Sequence, residues 1–273
     1  MKESVFDFGR NWEGFSRHAL TAARVEEAKR DFSDLLAGIE LSSQSFLDIG
    51  FGQGLSLLIA ASLGARSVGC DLDPTCADIL ERNRARFFPA LGSGAIPLLA
   101  GSILDEGVVG SLRALSSNTQ ERAFDVVHSW GVVHHTGNMR QAISNAASLV
   151  APRGHLVLAV YARHWSSPVW SVIKRLYNRL PAWGQRVLVA ILYPAIYCAK
   201  WLVSGGNALK QSRGMDFYYD VVDWVGGYPY EYAGDEEVKE LLEPLGFKLD
   251  RFVPATVPTG CNQFVFKRIA PGM

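Results

Sequence analysis

An aspartate followed by three glycines at alternate positions, Asp48-Ile-Gly50-Phe-Gly52-Gln-Gly54, is the stretch of this chain best suited to hold a ligand. Glycines at such a turn let the backbone bend sharply and approach a bound group with no Cβ in the way. The carboxylate of Asp48 stands just before the turn, where it would repel a pyrophosphate and suit a ligand bearing positive charge. The dinucleotide pattern G-x-G-x-x-G asks for a small residue at the place filled by Leu55, so a dinucleotide fits poorly. A second carboxylate, Asp71, follows at about 20 residues, the distance at which an acidic side chain meets the hydroxyls of a ribose. Further on, His134 and His135 stand side by side. A neutral imidazole can accept a substrate proton near pH 7; the alternative for each is that it caps a helix or braces a loop. Adjacent residues rarely point at one ion, and no carboxylate cluster follows, so no metal site is expected.

These residues need a sheet edge to position them. Ser45–Ile49 reads as a buried strand, and an apolar helical pattern begins directly after the glycines. Further strand signals at Ser67–Cys70, Ile96–Ala100, Phe124–Ser129 and His155–Tyr161 alternate with helical ones at Leu55–Leu63, Thr75–Phe87, near Asp105–Leu115 and at Met139–Val150. That βα alternation implies a parallel sheet with helices on both faces. Asp235–Leu245 reads as a last helix, and Phe247–Phe252 and Gln263–Ile269 as two last strands. Asp73 followed by Pro74 reads as a helix N-cap with proline at the first helical position. Asp71 is therefore assigned to the ligand and Asp73 to structure.

The pattern D-x-G-x-G-x-G at Asp48–Gly54, with Phe124-Asp-Val-Val-His-Ser-Trp-Gly-Val-Val-His-His135, resembles two motifs of the class I S-adenosylmethionine-dependent methyltransferases of the quinone and small-molecule type. The likeness runs from about Phe46 to Tyr161. The segments Phe6–Trp12, Lys174–Pro181, Asp220–Tyr230 and Gly260–Phe264 further resemble a bacterial subgroup. The resemblance implies an α/β fold: a doubly wound, Rossmann-like, seven-stranded, mostly parallel sheet with an antiparallel last strand. It implies S-adenosylmethionine as cofactor, held by Asp48, Gly50, Gly52, Gly54 and Asp71. Ser102 and Ile103 would flank the adenine, although the family more often has Asp in place of Ser102. Ser129 and Trp130 would lie beside the sulfonium. An oxygen or carbon acceptor must lose a proton, and His134 or His135 would take it, with Asp223 and Tyr228 in reserve. Ser129-Trp-Gly-Val stands where amino methylases of nucleic-acid bases carry Asn/Asp-Pro-Pro-Tyr, which argues against DNA.

Composition agrees. With 27 basic and 27 acidic residues among 273, the chain has no net field with which to hold a polyanion. Its four cysteines form no C-x-x-C pair and read as thiols of a reducing, cytoplasmic compartment. The first residues lack the apolar core of a signal peptide. Four segments are expected: an N-terminal helical arm or lid at 1–44, bearing the aromatic cluster Phe6, Phe8, Trp12 and Phe15; a cofactor core at 45–162; an inserted helical cap at 163–234; and a closing helix and strand pair at 235–273.

The inserted segment far exceeds the ~2–6 residues usual for such a connection, and its aromatic load suits an apolar or ring-bearing acceptor. Within it, Val187–Val203 is nearly all apolar but shorter than the ~20 residues of a spanning helix, and it contains Pro194 and Lys200. A buried helical pair kinked at Pro194 is expected there, with a peripheral, lipid-touching element as the alternative. The chain thus reads as a methyltransferase that modifies a small metabolite by O- or C-methylation. A non-catalytic, cofactor-binding partner subunit with the same fold is the other reading. Oligomeric state is open.

Overall fold

The computed structural model describes residues 6–94, 96–116, 122–203 and 214–269. Two capped helices come first: α1 (Phe8–His18), where Asp7 accepts the Arg10 N–H, and α2 (Ala22–Leu35), where Thr21 accepts that of Arg24. The sheet then begins. Strand β1 (Ser45–Ile49) leads through the glycine turn into α3 (Leu55–Ser62); β2 (Arg66–Asp71) into α4 (Thr75–Phe87); β3 (Leu98–Ala100) into α5 (Glu106–Leu115). Strand β4 (Phe124–Trp130) leads through a 3-10 turn at Val133–His135 into α6 (Met139–Ser148), and β5 (Val150–Tyr161) follows. Three helices come next, α7 (Ser167–Arg179), α8 (Ala182–Val203) and α9 (Phe217–Gly226). The chain closes with α10 (Asp235–Leu242), β6 (Phe247–Val253) and β7 (Cys261–Arg268).

The seven strands lie in the order β3-β2-β1-β4-β5-β7-β6, all parallel except β7, which pairs antiparallel with both β5 and β6. Period-two alternation divides the core between the two faces. Leu47, Ile49 and Val127 face α5, α6 and α10, whereas Phe46, Val126 and Val157 face α2, α3 and α4. Strand order reverses between β1 and β4, so the crevice at their carboxyl ends is where such a sheet receives a ligand.

Helices α7, α8 and α9 enclose an apolar cluster that includes Tyr177, Val189, Ile196, Phe217 and Val221. Here one expectation is corrected. The run 187–203 is not a buried, kinked pair but part of the single helix α8, and in it only Val189 and Ile196 are buried. Neighbours cover one side of α8, and nothing among the described residues covers the other. Pro194 lies on that open side, where water can satisfy the carbonyl its missing N–H leaves behind, so the helix continues through it.

Candidate active site

The glycine turn has a backbone that other residues would resist. Gly50, Gly52 and Gly54 have φ of 72°, 53° and 80°, values that cost an L-residue steric strain. Each is also crowded. A Cβ on Gly50 would lie 2.4 Å from the Val132 side chain, one on Gly54 2.6 Å from Leu80, and one on Gly52 2.7 Å from Nε1 of Trp12. Trp12 belongs to α1, so the N-terminal arm lies over the turn. Asp71 fixes the turn from behind, accepting the N–H of Gly52 at 2.8 Å and that of Asp73 at 3.0 Å. Burial raises the proton affinity of its carboxyl, and these two donors oppose the rise. Asp73 accepts from the Thr75 N–H at 2.9 Å and caps the start of α4.

A cavity of about 360 Å³ opens over the carboxyl ends of β1 and β4. Asp48, Gly50, Gln53, Trp130 and His134 line it from the sheet, Lys200, Asp220, Asp223 and Trp224 from the three-helix segment, and Thr259, Cys261 and Gln263 from β7 and the loop before it. Asp48 is 3% exposed and bonds Nδ1 of His128 at 2.7 Å, its direct partner in the β1–β4 register. Trp130 donates its indole N–H to Gln263 Oε1 at 2.9 Å. Of the expected cofactor residues, Asp48, Gly50 and Trp130 thus meet on one wall. Gly52, Gly54, Asp71, Ser102, Ile103 and Ser129 do not line the cavity. Ser129 Oγ donates to the Ile49 carbonyl at 3.2 Å, Ser102 Oγ accepts the Leu104 N–H at 3.2 Å, and Ile103 is buried in the core.

The adjacent histidines separate. His134 is buried on the cavity wall, and its Nδ1 has no partner. Burial, then the neighbouring His135 and Lys174, push its proton affinity well below the ordinary imidazole range. His135 is not on the wall. Its Nδ1 donates to the Pro229 carbonyl at 2.6 Å, its ring packs on Phe8 and Tyr161, and burial pushes it down to about 3. Both rings are therefore neutral near pH 7, and His135 braces the loop after α9.

The three-helix segment brings a buried carboxylate to the same cavity. Asp223 Oδ1 is buried without a partner. Burial raises its proton affinity above the ordinary carboxylate range, with Lys174 opposing and Asp220 adding to the rise. Lys174 is 0% exposed. It donates to the Trp224 carbonyl at 2.5 Å, and its ammonium lies 4.8 Å and 5.3 Å from the ring centres of Tyr230 and Tyr161. Burial lowers its proton affinity. Tyr228, held in reserve with Asp223, does not line the cavity; its hydroxyl accepts from Arg175 Nε at 3.3 Å. Among the site groups that escaped the sequence reading are His128 and Lys174. Nothing local marks His128. Lys174 carried a signal: it shares an α7 face with Trp170 and Tyr177 at helical spacing, a poor place for a free cation.

The fit to the implied cofactor can be judged from unpaired atoms. Gln53 Oε1, His128 Nε2, His134 Nδ1, Asp223 Oδ1, Trp224 Nε1 and Thr259 Oγ belong to residues lining this cavity and are buried without partners. Such atoms are costly unless a ligand completes them. Of these only the Trp224 N–H must donate, and the carboxylates of Asp48 and Asp220 add further acceptors. The set suits a ligand that brings N–H donors and positive charge, as the ammonium and sulfonium of S-adenosylmethionine do.

Residues 21–204 match a family model described as a methyltransferase domain. In fold, the chain is similar to an O-methyltransferase family protein from Burkholderia thailandensis, with a TM-score of 0.56 and 14% identity over 96% of this chain and 60% of that one. It is also similar to the magnesium protoporphyrin IX methyltransferase of Synechocystis PCC 6803 with bound SAH, with a TM-score of 0.52 and 14% identity over 89% of this chain and 83% of that one. Identities this low establish a common fold. A comparison with curated proteins returned no match.

Proposed function

The chain belongs to the methyltransferase-domain family, whose cofactor is S-adenosylmethionine, and from that premise we propose that it methylates a small, apolar or ring-bearing acceptor at oxygen or carbon. One observation carries the reading. Residues of the cofactor turn and the unpartnered carboxylate of Asp223 line one and the same cavity.

The cofactor, when bound, supplies an electrophilic methyl group on sulfur. The protein's residues do the rest. Asp48, held in place by His128, would accept from the cofactor's ammonium group, and Gly50 lets that group come close to the backbone. Asp71 acts through Gly52, fixing the turn, and has acceptor capacity left for ribose hydroxyls. Trp130, anchored on Gln263, would wall the reacting centre. Asp223 would take the acceptor's proton. A base is most effective when its proton affinity lies near the working pH, and burial moves this carboxyl in that direction. Lys174 helps keep it ionised before substrate arrives. His134, neutral and unpaired at Nδ1, would accept a hydrogen bond from the acceptor. The aromatic segment excludes water, which strengthens each of these polar contacts.

The test is turnover. The protein, S-adenosylmethionine and a panel of phenols, enols and carbon acids should yield S-adenosylhomocysteine with at least one of these classes. Cofactor binding without product across the panel would point to a partner subunit instead.

A further inference from the structure

The apolar side chains left in water are not scattered. Of fifteen exposed large hydrophobic residues among those described, nine lie between positions 165 and 202. Trp165 is 83% exposed, Trp183 70% and Leu202 73%. A surface helix normally turns a polar stripe outward. Helix α8 does the reverse: every exposed position described on it except Arg186 is apolar, Trp183, Val187, Ile191 and Trp201 among them. The outward stripe of α7 interleaves Val169, Val172 and Leu176 with Arg175 and Arg179. Charge is equally one-sided. Arg175, Arg179 and Arg186 are exposed on the two helices, and residues 163–203 contain no Asp or Glu, in a chain that has 27 of each sign.

We propose that α7 and α8 lay this face on the surface of an anionic lipid bilayer. Apolar side chains enter the headgroup boundary, tryptophans settle at the interface, and surrounding cations meet lipid phosphates. Among the described residues no helix is long and apolar enough to cross a membrane, so the pair lies on the bilayer rather than spanning it. A second copy is a poorer occupant. A twofold contact would set Arg175, Arg179 and Arg186 against their own copies with no acidic residue on either helix to pair them, and like charges across an interface are costly. The face also borders the cavity, because Lys200 of α8 is on its wall. An acceptor dissolved in lipid would thus have a short path in. That last step rests on the transferase reading; the docking does not.

Flotation of the full chain with vesicles tests it. The protein should float with vesicles of phosphatidylcholine containing phosphatidylglycerol and much less with phosphatidylcholine alone. Trp183→Glu with Ile191→Glu should cut binding at least about tenfold. Arg186→Gln should cut it about fivefold, the effect of one cation near such a surface. Calorimetric titration with S-adenosylmethionine should give the wild-type affinity in both variants, showing that they are folded and that any loss is one of docking alone. Equal flotation with neutral and anionic vesicles would overturn the choice of an anionic surface. No flotation with either kind would overturn the proposal, and so would a dimer by light scattering that Trp183→Glu dissociates.

Discussion

The glycine turn and the three-helix segment both contribute to one cavity, by opposite means. At the turn, function rests on the backbone. Three glycines hold positive φ, Asp71 ties the Gly52 N–H from behind, and Asp48 is fixed by a strand neighbour. From the three-helix segment come side chains placed where charge is costly. Lys174 is wholly buried among tyrosines, and Asp223 is left with an unpaired oxygen. The first wall is written in a few adjacent residues and suits a fixed cofactor. The second arises only when helices distant in sequence pack together, and its perturbed groups are suited to moving a proton.

Several substitutions can break or sharpen that contrast. Asp223→Asn removes the proposed base and keeps the shape, so turnover should fall by roughly 10²–10⁴ while the affinity for S-adenosylmethionine stays as it was. In the wild type the rate should rise with pH through a value above the ordinary carboxylate range, because the carboxyl must lose its proton to act. Turnover by the variant within a few-fold of wild type would transfer the proton chemistry elsewhere. Gly50→Val attacks the other wall. It forces a branched side chain into positive φ and against Val132, costing about 1–3 kcal/mol in backbone strain alone. It should remove cofactor binding from protein that remains folded by circular dichroism.

His135 gives a smaller, pH-dependent effect. Its folded-state proton affinity lies below the unfolded value, so its share of stability is complete above about pH 6.5 and is lost as pH falls toward 3. Between pH 7 and pH 5 that loss is about 2 kcal/mol. His135→Asn, which can still donate to the Pro229 carbonyl, should be less acid-sensitive than wild type by that amount in urea melts at the two pH values. Parallel pH dependence in both proteins would mean that His135 is not buried neutral. Asp73→Ala is the mildest. It should cost about 1 kcal/mol through the lost cap, seen as a lower melting temperature, and leave cofactor affinity alone.

The contrast also explains what could be read in advance. The α4 span, the strand before the glycine turn and Asp48 at its end are legible because each is specified by residues within one turn of the chain. The two last strands show in the same local periodicity, whereas the antiparallel direction of β7 was implied by the family resemblance. What escaped depends on contacts across long separations. His128 meets Asp48 through strand register 80 residues away, and Trp12 reaches Gly52 from the N-terminal arm. The family resemblance gave Ser102 and Ser129 as ligand contacts, and in the structure each hydroxyl bonds nearby backbone. Hydropathy marked 187–203 as apolar and could not tell which side of α8 the neighbours would cover.

The division between a binding wall and a reacting wall is tested most directly by calorimetric titration of S-adenosylmethionine into the wild type, Asp223→Asn and Asp48→Asn, with NADH as a control. The account predicts equal affinity for wild type and Asp223→Asn, weaker binding by Asp48→Asn, and no heat from NADH. Binding of NADH, no heat from S-adenosylmethionine, or equal losses in the two variants would contradict it.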